Sequence, residues 1–246
     1  LMMIGGDKSF GAGGWIDSET SKTLPVKLDP PATRELPRGA LALIMHSCEM
    51  PQANYWSEQV VVSSIETLSR LDYVGIVVFG FGGVGGVNGA GWYFPMQIAG
   101  DKAAAIAAAR SMPIGDMPDF QASMTVGLDG LVKVKAGQKH AIVISDGDPA
   151  PPSKALLDGY KAAKITITTI MLGGHGTAEH LTSMKNTAQI TGGNFYNVLN
   201  PKLLPKIFIK EASIVSRNLI VEGDFQPVVS PSIGGPLEGL ASVPMI

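Results

Sequence analysis

The chain has 246 residues, of which 45% are hydrophobic and 16% charged. This length and composition fit one large globular domain with a buried sheet and exclude a chain that is disordered throughout. A formal net charge of −2 at pH 7 without a dense Lys/Arg cluster argues against nucleic-acid binding, and the single cysteine, Cys48, excludes a disulfide within the chain.

Between two Gly- and Pro-rich ends, short apolar segments alternate with helical patterns. Strands are predicted at residues 40–45, 73–79, 92–97, 140–145, 165–172 and 194–198. Helices are predicted at residues 55–71, 102–112, 119–131, 153–163, 178–191 and 202–215, with Asp119 as a candidate N-cap. Residues 92–97 follow a Gly-rich turn and are expected to return antiparallel. The pattern predicts an α/β fold: a doubly wound, mostly parallel central sheet with one antiparallel edge strand and helices on both faces, Rossmann-like in architecture.

The first strand opens onto the most informative loop of the sequence. Residues 41–50 read LALIMHSCEM, an apolar run followed by polar side chains. Ligands of α/β domains bind outside the carboxyl ends of the strands. The loop carries His46, Cys48 and Glu49 within four residues, and is therefore the first candidate site.

Four strings in the expected order resemble the von Willebrand factor type A domain over residues 38–217: the first strand with its loop, DYVGIVVF at 72–79, AIVISDG at 141–147 and ITGGNFY at 190–196. In that family the first loop reads Asp-x-Ser-x-Ser. A Thr before a middle helix and an Asp after the fourth strand complete a Mg²⁺ or Mn²⁺ adhesion site made of oxygen ligands.

The resemblance implies that this adhesion site is degenerate. His46 stands at the Asp position, Cys48 and Met50 at the two Ser positions, and Pro118 at the Thr position, while Asp146 keeps the family's residue. Met and Pro offer no side-chain oxygen, so a site without Mg²⁺ is expected.

Several interpretations of this loop remain open. His46 and Cys48 either pack at the sheet edge or join Asp119 or Asp146 in a Zn²⁺ or Fe²⁺ site. A nucleophilic Cys48 with His46 as base is disfavoured, because a two-residue spacing alone rarely marks catalysis. Asp146, Asp148 and Glu49 are candidates for a carboxylate pair that does acid–base work. The alternative is that residues 146–149 form a turn in which Asp148 caps the next helix.

Two other groups are weaker candidates. His175 and His180 lack a third ligand, so a solvated loop is favoured over a metal site. The glycines at residues 80–86 lack the Lys-Ser/Thr of a phosphate-binding loop, so a hairpin is favoured there.

The ends carry a second resemblance. MIGG at 3–6, SFGAGGW at 9–15 and LPV at 24–26 resemble the glutamine-amidotransferase-like part of large bacterial membrane proteins, into which a type A domain is inserted. The resemblance implies an N-terminal arm at 1–37, the type A domain at 38–217 and a C-terminal arm at 218–246. We expect a soluble fragment from the extracytoplasmic side of a bacterial membrane, attached to the membrane only through other parts of the full-length protein. Amidotransferase activity is not implied, because no Cys/His pair stands in a nucleophile-elbow context.

The leading functional hypothesis is a non-enzymatic protein-interaction module without a cofactor, whose partner is a protein. Its expected partner surface is formed by Glu49, Met50, Tyr55, Trp56 and Asp148. Tyr55 and Trp56 serve either as aromatic anchors or as core packing of the first helix. The rival hypotheses are a Zn- or Fe-dependent hydrolase or redox protein using His46, Cys48 and Asp146, and an inert spacer.

Overall fold

The computed structural model describes residues 19, 21–23, 38–46, 52–80, 89–113, 115–173 and 177–215. The chain divides into two compact units, one made of Glu35–Arg217 and the other of Leu1–Arg34 with Asn218–Ile246. Apart from residue 19 and a 3-10 turn at Ser21–Thr23, the arm at residues 1–37 lies outside the described residues, as does the arm at 218–246. The second resemblance therefore stays a prediction.

The larger unit alternates strands and helices. In chain order these are β1 Gly39–Met45, α1 Ala53–Thr67, β2 Tyr73–Phe79, β3 Ala90–Ile98, α2 Ala103–Ser111, α3 Phe120–Lys133, β4 Gln138–Ser145, α4 Lys154–Ala162, β5 Ile165–Leu172, α5 Ala178–Thr191, β6 Phe195–Val198 and α6 Leu204–Ala212. Within the described residues, no helix has both the length and the apolarity that crossing a bilayer requires.

The six strands form one sheet in the order β3-β2-β1-β4-β5-β6. Strand β3 runs antiparallel to β2 at one edge, and all other neighbours are parallel. The predicted fold class, a mostly parallel sheet with one antiparallel edge strand, is confirmed.

Every residue of β1 is buried, because helices cover both faces of the sheet. Leu41, Leu43 and Met45 pack into a core with α1, α2 and α6. Ala42 and Ile44 point the other way, into a core with α3, α4 and α5. This double burial is the physical reason for the continuous apolar runs in the sequence.

Helix α6 is anchored to the sheet by the buried carboxylate of Glu211. Its oxygens accept hydrogen bonds from Thr168 Oγ1 at 2.5 Å, Tyr196 OH at 2.6 Å and Asn194 Nδ2 at 3.1 Å. Nε2 of His140 lies 3.6 Å away. Burial opposes the charged form of Glu211, but the nearby His140 ring and the hydrogen bonds from Thr168, Tyr196 and Asn194 outweigh it and lower the pKa of Glu211 to about 2. A buried charge with this many donors stabilises the attachment of α6.

Replacing Glu211 by Gln should make the protein less stable at neutral pH and reduce its sensitivity to acid. The pKa of Glu211 is lower in the folded state, about 2, than the ordinary 4.5, so its stabilisation is complete above the ordinary value and is lost as the pH falls toward the folded value. A shift of this size corresponds to on the order of 3 kcal/mol. Urea unfolding of both proteins at neutral and acidic pH measures the effect.

The matched control is Glu66→Gln at an exposed position of α1, which should change the free energy of unfolding by less than about 0.5 kcal/mol. The Glu211 prediction is wrong if the wild type and Glu211→Gln lose stability in parallel as the pH falls.

Candidate functional site

The parallel pairing of β1 with β4 brings His46 beside Ser145 and Asp146. Met45 pairs with Ile144 in the ladder, and the backbone N–H of His46 continues it by donating to the Ile144 carbonyl at 3.2 Å. The residues that follow both strands therefore meet at the carboxyl edge of the sheet, where ligands of α/β domains bind.

One edge of the His46 imidazole is held by the end of β4. The side chain is fully buried. Its Nδ1 lies 2.9 Å from Ser145 Oγ and 3.4 Å from Asp146 Oδ1. The Ser145 hydroxyl also accepts the backbone N–H of Gly147 at 3.0 Å. These contacts fix the orientation of the ring.

The other edge of the ring faces two exposed carboxylates. Nε2 of His46 lies 2.9 Å from Asp116 Oδ1 and 3.9 Å from Asp148 Oδ1. The side chains of Asp116 and Asp148 are 69% and 50% exposed. The three groups each offer one potential ligand atom, all within 4.8 Å of one another. We call these three residues the His46 cluster.

Asp116 reaches the cluster because the loop before α3 packs closely against the end of β2. A Cβ atom on Gly115 would lie 2.3 Å from the Phe79 carbonyl oxygen, so the approach requires glycine. Backbone hydrogen bonds then tie residues 118–120 to Ala150 in the loop after β4, at 3.0 Å in each direction. The two loops that carry Asp116 and Asp148 are thus held together.

The crowding of charged groups shifts the pKa values of His46 and Asp148. Burial disfavours protonated His46, but hydrogen bonds to Asp146 and Asp116 and the charges of Asp146 and Asp148 outweigh burial and raise the pKa of His46 above 6.5. Burial and the neighbouring Asp146 raise the pKa of Asp148, although His46 opposes this shift. The cluster therefore concentrates negative charge that a cation would stabilise.

The two aspartates predicted as metal ligands, Asp146 and Asp119, have different environments in the structure. Asp146 lies on the Nδ1 edge of the His46 ring. The carboxylate of Asp119 instead accepts a backbone N–H in the first turn of α3 at 3.2 Å, which confirms the predicted N-cap. Asp148 faces His46 and does not cap α4, because Ser153 is the N-cap of that helix. Asp116 was not predicted.

The two aromatic residues of the predicted partner surface have different environments. Tyr55 is 52% exposed, whereas Trp56 is partly buried against the core beneath α1. Their rings meet edge to face with centroids 5.3 Å apart. Tyr55 is thus the one of the two with most of its side chain on the surface.

Some predicted site residues lie outside the described residues. These are Cys48, Glu49 and Met50 in the first loop, His175, and the glycine-rich residues 81–86. Their assigned roles stay predictions.

The described donor atoms differ from the ligand shell that Mg²⁺ prefers. Mg²⁺ favours near-octahedral oxygen coordination, whereas this cluster combines one imidazole nitrogen with two carboxylates. One imidazole nitrogen with two carboxylates is a donor set that Zn²⁺ accepts.

No protein-family model matches the chain, and no curated protein matches it. Among solved structures, a von Willebrand factor type A protein from Catenulispora acidiphila superposes with a TM-score of 0.61 at 14% identity, covering 72% of this chain and 42% of that one. An aerotolerance-related membrane protein from Bacteroides fragilis gives a TM-score of 0.53 at 15% identity, covering 71% of this chain and 97% of that one.

A third similar structure is proximal thread matrix protein 1 from the mussel byssus with a zinc-occupied MIDAS motif. It gives a TM-score of 0.56 at 14% identity, covering 72% of this chain and 48% of that one. The chain spans less than half the length of the Catenulispora and mussel proteins. At these identities the similarity shows the fold, which is that of the von Willebrand factor type A domain.

Replacing Ser145 by Ala should destabilise the protein. The change removes the acceptor of the Gly147 N–H and leaves His46 Nδ1 with Asp146 at 3.4 Å. Loss of buried hydrogen bonds of this kind costs about 1–3 kcal/mol, measured by urea unfolding. The control Ser63→Ala, in which the lost hydroxyl bonds within α1, should stay within about 0.5 kcal/mol of the wild type. An unchanged Ser145→Ala protein would mean that this hydroxyl does not hold the ring.

Proposed function

We propose that the chain is a non-enzymatic protein-interaction module that binds a protein partner at the carboxyl edge of its sheet without Mg²⁺. The observation that carries this proposal is the His46 cluster. An imidazole stands where the sequence resemblance puts the central carboxylate of an adhesion site, and two exposed carboxylates line its outer side. The type A fold supports the same class of function.

The exposure of the cluster favours binding of a macromolecule over turnover of a small molecule. Asp116 and Asp148 lie on open surface, with more than half of the Asp116 side chain accessible to solvent. The groove between α4 and α5 is a concave site, but the residues of the His46 cluster do not line it. Small substrates usually bind in concave sites that bury most of their surface. Tyr55, in the first turn of α1, adds exposed aromatic surface of the kind that anchors partners.

A metal-dependent hydrolase or redox protein is the second candidate. The observation in its favour is the presence of one imidazole and two carboxylates within 4.8 Å in a solvent-facing cluster. In the mussel protein the corresponding type of site is described as occupied by zinc. The interaction module remains the preferred proposal because the cluster is open.

We propose further that the module belongs to the envelope of a bacterium, on the extracytoplasmic side of the membrane. The resemblance of its two ends to large bacterial membrane proteins supports this location. The similar Bacteroides fragilis structure is also described as that of a membrane protein.

Partner capture should depend on the exposed carboxylates and not on Mg²⁺. The full chain, immobilised, is incubated with solubilised envelope proteins of the source bacterium, and bound proteins are quantified. The double variant Asp116→Asn/Asp148→Asn should lose the partner, because it removes both exposed charges while the buried ring contacts stay. The control Asp158→Asn, at an exposed position that pairs with Lys154 on the surface of α4, should capture it normally.

Adding Mg²⁺ should leave the captured amount unchanged. An inert spacer predicts the same bound proteins for the wild type and the double variant, and that result would reject the interaction module. If capture requires Mg²⁺, the part of the proposal that excludes an adhesion-type metal ion is wrong.

A further inference from the structure

We propose that His46, Asp116 and Asp148 bind one Zn²⁺ ion, through Nε2 of the imidazole and one oxygen of each carboxylate. Of these three ligands, only His46 stands at a position where the sequence resemblance puts a Mg²⁺ ligand. The ligand set also differs from the one predicted from sequence, because Asp116 and Asp148 take the roles given there to Cys48 and Asp146. Zinc binding is a property of the chain alone and does not rest on the proposed partner.

The distances between the donor atoms suit a tetrahedral zinc ion. Zinc binds imidazole nitrogen and carboxylate oxygen at about 2.0–2.2 Å, so two such ligands lie roughly 3.4 Å apart in tetrahedral geometry. The observed distances from His46 Nε2 to the Asp116 and Asp148 oxygens are 2.9 and 3.9 Å, one on each side of that value. The Asp116 and Asp148 oxygens lie within 4.8 Å of each other, so shifts of up to about 1 Å in these two exposed side chains bring all three donors to zinc distances.

His46 is the ligand that does not need to move. Its Nδ1 edge lies against Ser145 Oγ at 2.9 Å and Asp146 Oδ1 at 3.4 Å. Metal-binding histidines typically donate their second ring N–H to such a group, and this fixes both tautomer and orientation. With the proton on Nδ1, the lone pair of Nε2 points toward Asp116 and Asp148. Asp146 therefore supports the ring from behind.

The electrostatics of the site favour a cation. Three carboxylates, those of Asp116, Asp146 and Asp148, surround one imidazole, so negative charge exceeds positive charge in either protonation state of the ring. A divalent ion offsets that excess. An imidazole with carboxylates selects zinc-class ions over Mg²⁺, which prefers an all-oxygen shell.

Three protein ligands leave the fourth tetrahedral position open. Because Asp116 and Asp148 are exposed, this position faces solvent. Open zinc positions are filled by water or by a group from another molecule. The ion would thus lie at the same edge of the sheet as the proposed partner surface.

Isothermal titration of the metal-free full chain with Zn²⁺ tests the inference. The wild type should bind one equivalent of zinc. The double variant Asp116→Asn/Asp148→Asn should bind zinc more than tenfold more weakly, because loss of even a group that supports a ligand typically lowers metal affinity by roughly 10–100-fold. Asp158→Asn and Cys48→Ala should bind like the wild type. An excess of Mg²⁺ should not displace the zinc.

Four results would overturn the inference. Wild-type affinity in the double variant would place the ion elsewhere, and an equal loss in Asp158→Asn would indicate diffuse surface binding. Loss in Cys48→Ala would assign the ion to a different ligand set, and displacement by Mg²⁺ would reject the choice of metal. Partner capture is measured separately, so either proposal can fail while the other holds.

Discussion

The parallel, in-register pairing of β1 with β4 is the constraint on which the candidate site depends. The ladder runs from Gly39 opposite Gln138 to Met45 opposite Ile144, and His46 extends it by one more backbone hydrogen bond. A side chain that leaves β1 at this point has to lie beside the residues that leave β4. The imidazole is thereby fixed before any ligand arrives, and one of its nitrogens is directed to the surface.

Two polar clusters on the same sheet differ in burial, and the difference distinguishes a structural role from the proposed binding role. Glu211 is fully buried, and its carboxylate accepts hydrogen bonds from β5 and from β6 with the residue before it. Such a group contributes to stability and offers nothing to a ligand. The His46 cluster combines a buried, fixed ring with exposed carboxylates. That combination leaves donor atoms available to an ion or a partner at little cost in rearrangement.

The strands and helices could be predicted because their patterns are strong, yet the end of α1 could not. The apolar pattern extends the helix to residue 71, whereas the structure ends it at Thr67. The reason is a tertiary contact. Buried Asp72 accepts the backbone N–H groups of both Ser69 and Gly39, at 2.7 and 2.9 Å. This contact holds the turn against the start of β1, which local periodicity does not reveal.

The sequence alone determined the order and type of the strands and helices, because periodicity depends on local residues. It also determined that His46 and Asp146 share one edge of the sheet, because both follow parallel strands. It did not indicate Asp116, which lies in an irregular loop without a pattern of its own. Only the tertiary structure decided which carboxylates face the imidazole. That choice depends on contacts between loops distant in sequence, above all the close approach of Gly115 to Phe79, which brings Asp116 to within 2.9 Å of a ring nitrogen 70 positions away.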